Sequence, residues 1–243
     1  MALTVEHLTK KFDDKVILDD ISFTVNTGEI LAIVGFSGSG KSTILKLISG
    51  LLEPTSGKIT QDTDGDIAMV FQYSALFDSL NVFDNITFAL QERKEFKGKY
   101  TQEQMKAMVA QKLKTVGLSN IEKKYPYELS GGMQKRVSFA RAIITEPSLI
   151  LYDEPTAGLD PVASTIIEDY IVRLRNETNS TAIVVTHQLS TINRCADRVV
   201  MLYHGKIVFN GTPQELCMGL TPYTKQFIDA SPDGPMKINV SDF

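Results

Sequence analysis

Cysteine is scarce in this chain, and long apolar runs are missing. Only two of its 243 residues are cysteines, Cys195 and Cys217, and both lie on predicted helices. Their spacing does not fit a metal site, so we expect reduced packing residues. No run approaches the roughly 20 apolar residues of a membrane span, and the first residues lack the basic-then-apolar pattern of a targeting segment. We therefore expect a protein of the cytosol or an equivalent compartment.

A strong excess of charge is also missing. The formal net charge of −4 argues against a general nucleic-acid-binding protein. With 43% hydrophobic and 22% charged residues, the chain can bury a sizeable core as one large domain or two small ones. The composition therefore agrees with a soluble enzyme.

Residues 35–42 are the most informative stretch of the sequence. They fit the pattern G-x-x-x-x-G-K-[ST] and follow an apolar run at residues 30–34, which predicts a buried strand before a phosphate-binding loop. Glycines in such a loop let backbone N–H groups converge on phosphates, toward which the next helix points its positive end. We expect Lys41 to neutralise the β- and γ-phosphates and Ser42 to bind Mg²⁺.

The alternative, a chance match, is expected in about 1% of chains of this length. The residues after the loop make a chance match rarer still, because they predict a helix that ends at Gly50. Its apolar stripe comprises Ile44, Leu45, Leu47 and Ile48.

Strands and helices alternate along the chain, which predicts an α/β fold. The predicted strands are residues 16–25, 30–34, 58–60, 67–71, 149–151, 182–185, 198–203 and 206–209. A hairpin turn at His204 and Gly205 joins the last two. A helical block begins at Val82, and within it a capping box at Thr101 opens an amphipathic helix that ends at Gly117.

Two further helices are predicted after the block. Thr212 begins what we expect to be the last helix, and the prolines of residues 221–243 predict an irregular tail. Pro161 opens a longer helix, and the residues expected on its buried face are Val162, Ile166, Ile167, Ile171 and Leu174.

The tail is too apolar for an ordinary solvated end. Two alternatives have equal weight: the tail contacts a partner, or it folds back on its own domain or frays. The apolar side chains concerned are Tyr223, Phe227, Ile228, Met236, Ile238, Val240 and Phe243.

Asp153 and Glu154 form a pair of acids at the end of the apolar run 149–152. Strand ends in an open α/β sheet point into the ligand crevice. Asp153 therefore fits the Mg²⁺-binding acid of a phosphate-loop enzyme, and Glu154 fits a group that polarises an attacking water. Such acids are ordinary loop residues in many proteins, but the phosphate loop upstream favours catalysis.

A second predicted anion site opens the helix after Leu129. Ser130 stands at its N-cap, followed by Gly131 and Gly132. A glycine pair before a helix is by itself commonly a turn. With the phosphate loop it gives one chain two separated helix starts suited to phosphate.

These motifs together resemble the nucleotide-binding subunits of ATP-binding-cassette (ABC) transporters, over about residues 3–216. The resemblance rests on six motifs in family order: residues 35–43 as Walker A, Gln72 as the Q-loop, 129–134 as the signature, 152–154 as Walker B, 158–160 as the D-loop and His187 as the switch histidine. It implies a P-loop NTPase with a RecA-like core, an antiparallel β subdomain and an inserted helical subdomain.

The resemblance also implies an organisation of the chain. Residues 1–220 would form the nucleotide-binding domain, with the core at 1–75 and 146–220 and the helical subdomain at 76–145. Residues 221–243 would be a tail that contacts the dimer mate or another partner. Two copies would form a head-to-tail dimer with two ATP molecules, each between the Walker A motif of one subunit and the signature of the other.

Roles for individual residues follow from the same resemblance, with ATP and Mg²⁺ as the bound species. Catalytic roles fall to Lys41, Gln72, Glu154 and His187, and metal binding to Ser42, Gln72 and Asp153. The nucleotide-binding residues are Phe12, Gly35, Phe36, Ser37, Gly38, Ser39, Gly40, Lys41, Ser42, Thr43 and, toward the other subunit's ATP, Ser130, Gly131 and Gly132.

Two residues depart from the family pattern. Met133 replaces the glutamine most common after Ser-Gly-Gly. Phe12 replaces the tyrosine whose ring stacks on adenine, and a phenylalanine there also fits a core side chain.

Three classes of function compete: a transport ATPase, a soluble ABC ATPase of DNA maintenance or translation, and a nucleotide-dependent scaffold. Glu154 and His187 count against the scaffold. A single cassette with a short helical block counts against the second class.

The substrate is suggested by residues 71–80, Met133 and residues 226–235, which resemble the Mla/Mkl-type ATPases of bacterial and plastid phospholipid trafficking. That resemblance implies an integral-membrane permease and a mammalian-cell-entry-domain lipid-binding protein as partners, with no nucleic acid. It places the chain at the inner face of a membrane, in the cytoplasm or the plastid stroma. The alternative is a transporter of amino acids, other small solutes or lipoproteins.

Overall fold

A computed structural model of the chain describes residues 1–61 and 65–237. Its strands are β1 (Leu3–Phe12), β2 (Lys15–Val25), β3 (Ile30–Gly35), β4 (Ser56–Gln61), β5 (Ile67–Val70), β6 (Leu149–Asp153), β7 (Thr181–Val185), β8 (Arg198–Tyr203) and β9 (Lys206–Gly211). Its helices are α1 (Lys41–Ile48), α2 (Val82–Glu92), α3 (Gln102–Thr115), α4 (Gly131–Ala142), α5 (Pro161–Thr178), α6 (Leu189–Cys195), α7 (Pro213–Cys217) and α8 (Pro222–Ile228).

The strands form two sheets. The larger has the order β5-β6-β7-β3-β8-β9, in which only the β8–β9 pair is antiparallel. The smaller is antiparallel, in the order β2-β1-β4. The predicted α/β fold is confirmed, and the carboxyl ends of β3, β6 and β7 meet at one edge of the large sheet.

Side-chain alternation along the central strands builds two cores. On β6, Ile150 and Tyr152 pack toward the helices α2 to α5, whereas Leu149 and Leu151 pack toward α1 and the small sheet. All five residues of β6 and of β7 are buried. Strands covered on both faces read as continuous apolar runs, which is why the sequence shows them clearly.

The structure confirms the predicted hairpin turn, the capping box of α3 and the glycine that ends α1. His204 and Gly205 have φ of 45° and 73°, as a two-residue hairpin turn demands. The Thr101 side chain accepts a hydrogen bond from the Gln104 amide, and the Gln104 side chain completes the capping box of α3. Gly50, after α1, has φ of 73°.

The predicted buried face of α5 is wrong for two of its residues. Val162 is 72% exposed and Ile166 is 39% exposed, while Ile167, Ile171 and Leu174 are buried. Val162 lies in the first turn and Ile166 in the second, so helical spacing alone overestimated the width of the buried face.

The prediction of an irregular tail is wrong for residues 222–228, which form α8, and α7 is therefore not the last helix. Pro222 occupies the first turn of α8, where a missing N–H costs nothing, and Thr221 caps it. Tyr223, Phe227 and Met236 pack on the core formed by β3, β8, α6 and α7. The described part of the tail thus folds back on its own domain, whereas Ile238, Val240 and Phe243 lie outside the described residues.

Within residues 1–61 and 65–237, no helix is long and apolar enough to cross a membrane. In the same residues no cluster of three or more His, Cys, Asp or Glu side chains has the arrangement of a metal centre. Cys195 is buried and Cys217 is exposed, and both are free thiols. Burial raises the pKa of the Cys195 thiol to about 12, in agreement with a packing role.

Candidate nucleotide-binding site

The loop between β3 and α1 can be built only with glycine at two positions. A Cβ on Gly35, which has φ of 143°, would lie 2.3 Å from the Leu202 carbonyl oxygen. At Gly40, with φ of 101°, a Cβ would lie 2.6 Å from the Leu18 side chain. Gly40 is also the N-cap of α1, and no side chain caps that helix. The backbone N–H groups at the start of α1 are therefore available to an anion.

Lys41 bends back over this loop. Its Nζ donates to the carbonyl oxygens of Gly35 and Phe36, each at 2.8 Å. Burial lowers the pKa of Lys41, and the nearby carboxylates of Glu154 and Asp153 partly offset that effect. The ammonium group is thus held at the mouth of the loop, where a phosphate oxygen is a stronger acceptor than the two carbonyls.

Ser42 and Asp153 meet across the edge of the sheet. The Ser42 Oγ donates to Asp153 Oδ1 at 3.0 Å, which joins the start of α1 to the end of β6. Asp153 is 8% exposed, and burial raises its pKa against the opposing effects of Ser42, Lys46 and Lys41. A hydroxyl and a carboxylate are hard oxygen donors of the kind that Mg²⁺ prefers, so this pair fits that ion.

Glu154 and His187 form the second pair of the site. His187 Nδ1 lies 2.9 Å from Glu154 Oε1, and the Glu154 amide donates to the Val185 carbonyl at 2.9 Å. Glu154 has φ of 47°, a strained conformation for a residue other than glycine, and such strain is concentrated at functional sites. Its Oε2 is buried and has no hydrogen-bond partner among residues 1–61 and 65–237. One carboxylate oxygen is therefore oriented by protein and the other is free to accept from a bound molecule.

Gln72 and Phe12 are both exposed residues at or just after strand ends. Gln72 is exposed and follows β5, the neighbour of β6, at the same edge of the sheet as Asp153. Phe12 is 45% exposed at the end of β1, with Lys10 Nζ 4.8 Å from its ring centroid. An exposed ring is free to stack on a ligand, whereas a core side chain would be covered.

Ser130, Gly131 and Gly132 form a separate helix start. The Ser130 Oγ accepts a hydrogen bond from the Met133 amide at 3.3 Å, as an N-cap does. A Cβ on either glycine would meet nothing within 4 Å. Among the residues that the structure describes, no hydrogen bond joins this turn to Lys41, Asp153 or Glu154. The surface that it offers is therefore open and faces outward.

Three residues that the sequence did not single out also hold the site. Lys135, on α4, donates to the carbonyl oxygens of Pro155 and Ala157, just after Glu154. Burial lowers the pKa of Lys135, and Glu154 opposes that shift. Within this segment, Thr156 Oγ1 lies 3.1 Å from Gln188 Oε1, next to His187. No periodicity or motif marks these contacts, because each depends on elements far apart in sequence.

Comparisons with known proteins agree with this geometry. The family model of the ABC transporter matches residues 18–157. Protein TRIGALACTOSYLDIACYLGLYCEROL 3, chloroplastic, of Arabidopsis thaliana is 43% identical, over 94% of this chain and 73% of that protein. The intermembrane phospholipid transport system ATP-binding protein MlaF of Escherichia coli is 37% identical, over 92% and 87%.

A further relative and a solved structure are also similar to this chain. The sulfate/thiosulfate import ATP-binding protein CysA of Synechococcus elongatus is 36% identical, over 98% of this chain and 69% of that protein. A dimeric ATP-binding cassette in a post-hydrolysis state, bound to ADP and Pi, superposes with a TM-score of 0.78 at 29% identity, over 87% of this chain and 98% of that chain. The chain therefore belongs to the ABC transporter family, with the P-loop NTPase fold, and is an enzyme that binds and hydrolyses ATP.

Proposed function

We propose that this chain is the ATP-hydrolysing subunit of a transporter that moves phospholipids between membranes. The observation that carries the proposal is the 37% identity to MlaF over 92% of the chain, since that relative is named for intermembrane phospholipid transport. The arrangement of Lys41, Asp153, Glu154 and His187 supports the hydrolysis itself.

In the proposed reaction, the backbone N–H groups at the start of α1 and the Lys41 ammonium bind the phosphates of ATP. Ser42, Gln72 and Asp153 hold Mg²⁺, which neutralises charge on the transferred phosphoryl group. Glu154 orients the attacking water through its free oxygen Oε2, and His187 donates to the γ-phosphate. Phe12 stacks on the adenine ring.

The second anion site serves another subunit. In our proposal Ser130, Gly131 and Gly132 contact the γ-phosphate of ATP bound to the other copy, in a head-to-tail dimer. The outward-facing start of α4 and the dimeric state of the structural relative support this arrangement. Closing of the dimer then completes each site, because phosphoryl transfer depends mostly on positioning and electrostatics.

We assign residues 1–220 to the nucleotide-binding domain, with a core at 1–75 and 146–220 and a helical subdomain at 76–145. In our proposal residues 221–243 form a C-terminal tail that contacts the other copy or another subunit. We further propose an integral-membrane permease as the docking partner, on the inner face of a bacterial or plastid membrane. A mammalian-cell-entry-domain lipid-binding protein is the other proposed partner.

A second candidate function is import of a small solute. The 36% identity to CysA, which is named for sulfate and thiosulfate import, favours it almost as strongly. The catalytic residues are the same in both cases, so the cargo is decided outside the nucleotide site.

Isolation of the intact complex tests the proposal. The tagged chain is purified from membranes in mild detergent, and co-purifying proteins and lipids are identified by mass spectrometry. Phospholipid retained on the complex, and ATPase activity that phospholipid vesicles stimulate, are expected. Stimulation by a small solute with its binding protein, and none by phospholipid, would establish the second candidate instead.

A further inference from the structure

Glu168 is a buried acid that the hydrolysis scheme above does not use. It lies on α5, and only 2% of its surface is exposed. The Thr191 hydroxyl donates to its Oε1 at 2.7 Å, and Ser190 Oγ lies 3.4 Å from the same oxygen. Arg194 Nε is 3.9 Å from its other oxygen, Oε2. A carboxylate is buried at this depth only when hydrogen bonds compensate its lost hydration, so these contacts hold it in place.

The hydrogen bonds of Glu168 continue into the catalytic loops. Thr191 Oγ1 lies 3.2 Å from Thr156 Oγ1, and because Thr191 gives its one hydroxyl proton to Glu168, Thr156 is the donor in this pair. Gln188 Oε1, 3.1 Å from Thr156 Oγ1, competes for the same Thr156 proton. Thr156 is 0% exposed and Thr191 is 1% exposed, so water does not compete for these bonds. Thr156 stands two residues after Glu154, and Gln188 directly follows His187.

His187 needs this support because its own side chain is poorly held. The side chain is 62% exposed, and its ion pair is with Glu154. The orientation of the imidazole therefore depends on the backbone between β7 and α6. The helix α6 that follows has seven residues, and its N-cap residue Gln188 makes no side-chain cap. Thr191, in its first turn, is the point at which Glu168 holds it.

We propose that Glu168 is a positioning residue for ATP hydrolysis. Through Thr191 and Thr156 it holds the loop that carries His187 against the segment that carries Glu154. This inference rests on the proposed roles of Glu154 and His187 and adds a residue of α5 that contacts neither the nucleotide nor the metal. A shift of about 1 Å in a catalytic group can cost about 10²-fold in rate, so the chain of hydrogen bonds affects turnover without touching ATP.

Steady-state ATPase kinetics of the full chain test the proposal. In Glu168→Ala the Thr191 hydroxyl loses its acceptor, and we expect kcat to fall roughly 10- to 100-fold while nucleotide affinity stays within about twofold. Glu168→Gln retains an acceptor for Thr191, so its kcat should stay within about threefold of wild type. Asp169→Asn is the matched control, since the exposed Asp169 shares Arg194 but not Thr191.

Thr191→Val keeps the shape of the side chain and removes the hydroxyl, so it carries the test if Glu168→Ala does not fold. A folded Thr191→Val or Glu168→Ala protein with wild-type kcat would overturn the proposal. So would a loss of nucleotide affinity as large as the loss of kcat, because that pattern indicates general damage to the fold.

A double-mutant cycle with His187→Ala separates this inference from the proposed function. If Glu168 acts through His187, Glu168→Ala should have little further effect on kcat in the His187→Ala background. Equal fold losses in both backgrounds would overturn the inference alone. Wild-type turnover in His187→Ala would overturn the role of His187, and the inference with it.

Discussion

His187 Nδ1 lies 2.9 Å from Glu154 Oε1, while the other oxygen of the same carboxylate is buried without a partner in the part of the chain that the structure describes. The first contact pairs one carboxylate oxygen with His187, and in the proposed reaction the second oxygen accepts from the attacking water. A buried acceptor without a partner is costly in a finished fold, and such groups are retained where a ligand satisfies them. The arrangement supports the proposed role of Glu154 as a base that acts on a bound water.

Glu154→Gln should leave ATP binding intact and lower kcat at least roughly 10²-fold, because the amide keeps the shape but cannot take a proton from water. It should also accumulate an ATP-bound dimer, which size-exclusion chromatography in the presence of ATP would detect. Near-normal steady-state turnover would reject Glu154 as the catalytic base.

Asp153→Asn should stabilise the nucleotide-free protein and abolish Mg²⁺-dependent hydrolysis. Burial raises the pKa of Asp153, so the ionised carboxylate opposes folding at neutral pH, and the amide removes that cost. A Tm higher than that of wild type is therefore expected at pH 7.

The pH dependence of this difference provides its control. A raised native pKa means that the folded state binds the proton more tightly than the unfolded state, so the cost exists above the native pKa and fades as pH falls through it. The Tm gap between variant and wild type should therefore shrink on acidification from pH 7. Asp14→Asn, at an exposed turn, is the matched control, and a gap of constant size for Asp153→Asn would contradict this account.

Ser130→Arg should abolish turnover and spare ATP binding by the monomer, because the arginine blocks only the surface offered to the other copy. Mixed with Lys41→Ala subunits, it forms dimers in which one composite site carries both substitutions and the other carries neither. Partial recovery of ATPase activity in the mixture is expected, provided that one intact site turns over. If Ser130→Arg and Lys41→Ala lost monomer ATP affinity equally, the assignment across the dimer would be wrong.

The local parts of the site could be predicted from sequence because local chemistry determines them. The glycines of residues 35–40 are required by backbone geometry at Gly35 and Gly40, and β3 and β6 are buried on both faces. The strand β1 was not predicted, because its register shifts between Val5 and Leu8 and again before Lys10, which breaks the alternation of side chains.

Contacts between distant elements could not be predicted in the same way. Lys135 contacts the segment after Glu154 from 20 residues upstream, and Thr156, within that segment, contacts Gln188, which lies 32 residues downstream. No local sequence pattern marks either contact. The exposure of Val162 likewise depends on what lies opposite α5, and helical periodicity carries no information about that. The helix α8 was missed because its prolines suggest irregular structure, although Pro222 is well placed in a first turn.

Met236→Ala should detach the described end of the tail from its own domain. Met236 is 0% exposed, and the buried Gln226 side chain holds its backbone with two hydrogen bonds of 2.8 Å. Removal of a buried methionine side chain costs about 2–5 kcal/mol in a core, and we expect the lower end here, about 2 kcal/mol or a Tm lower by about 4–8 °C. Lys237→Ala, at the exposed neighbouring residue, is the matched control and should melt like wild type. Limited proteolysis should release the C-terminal end of Met236→Ala faster than that of the control. Equal melting and equal cleavage of the two variants would show that the tail does not depend on this contact, whereas a change in sedimentation alone would point to burial against another subunit.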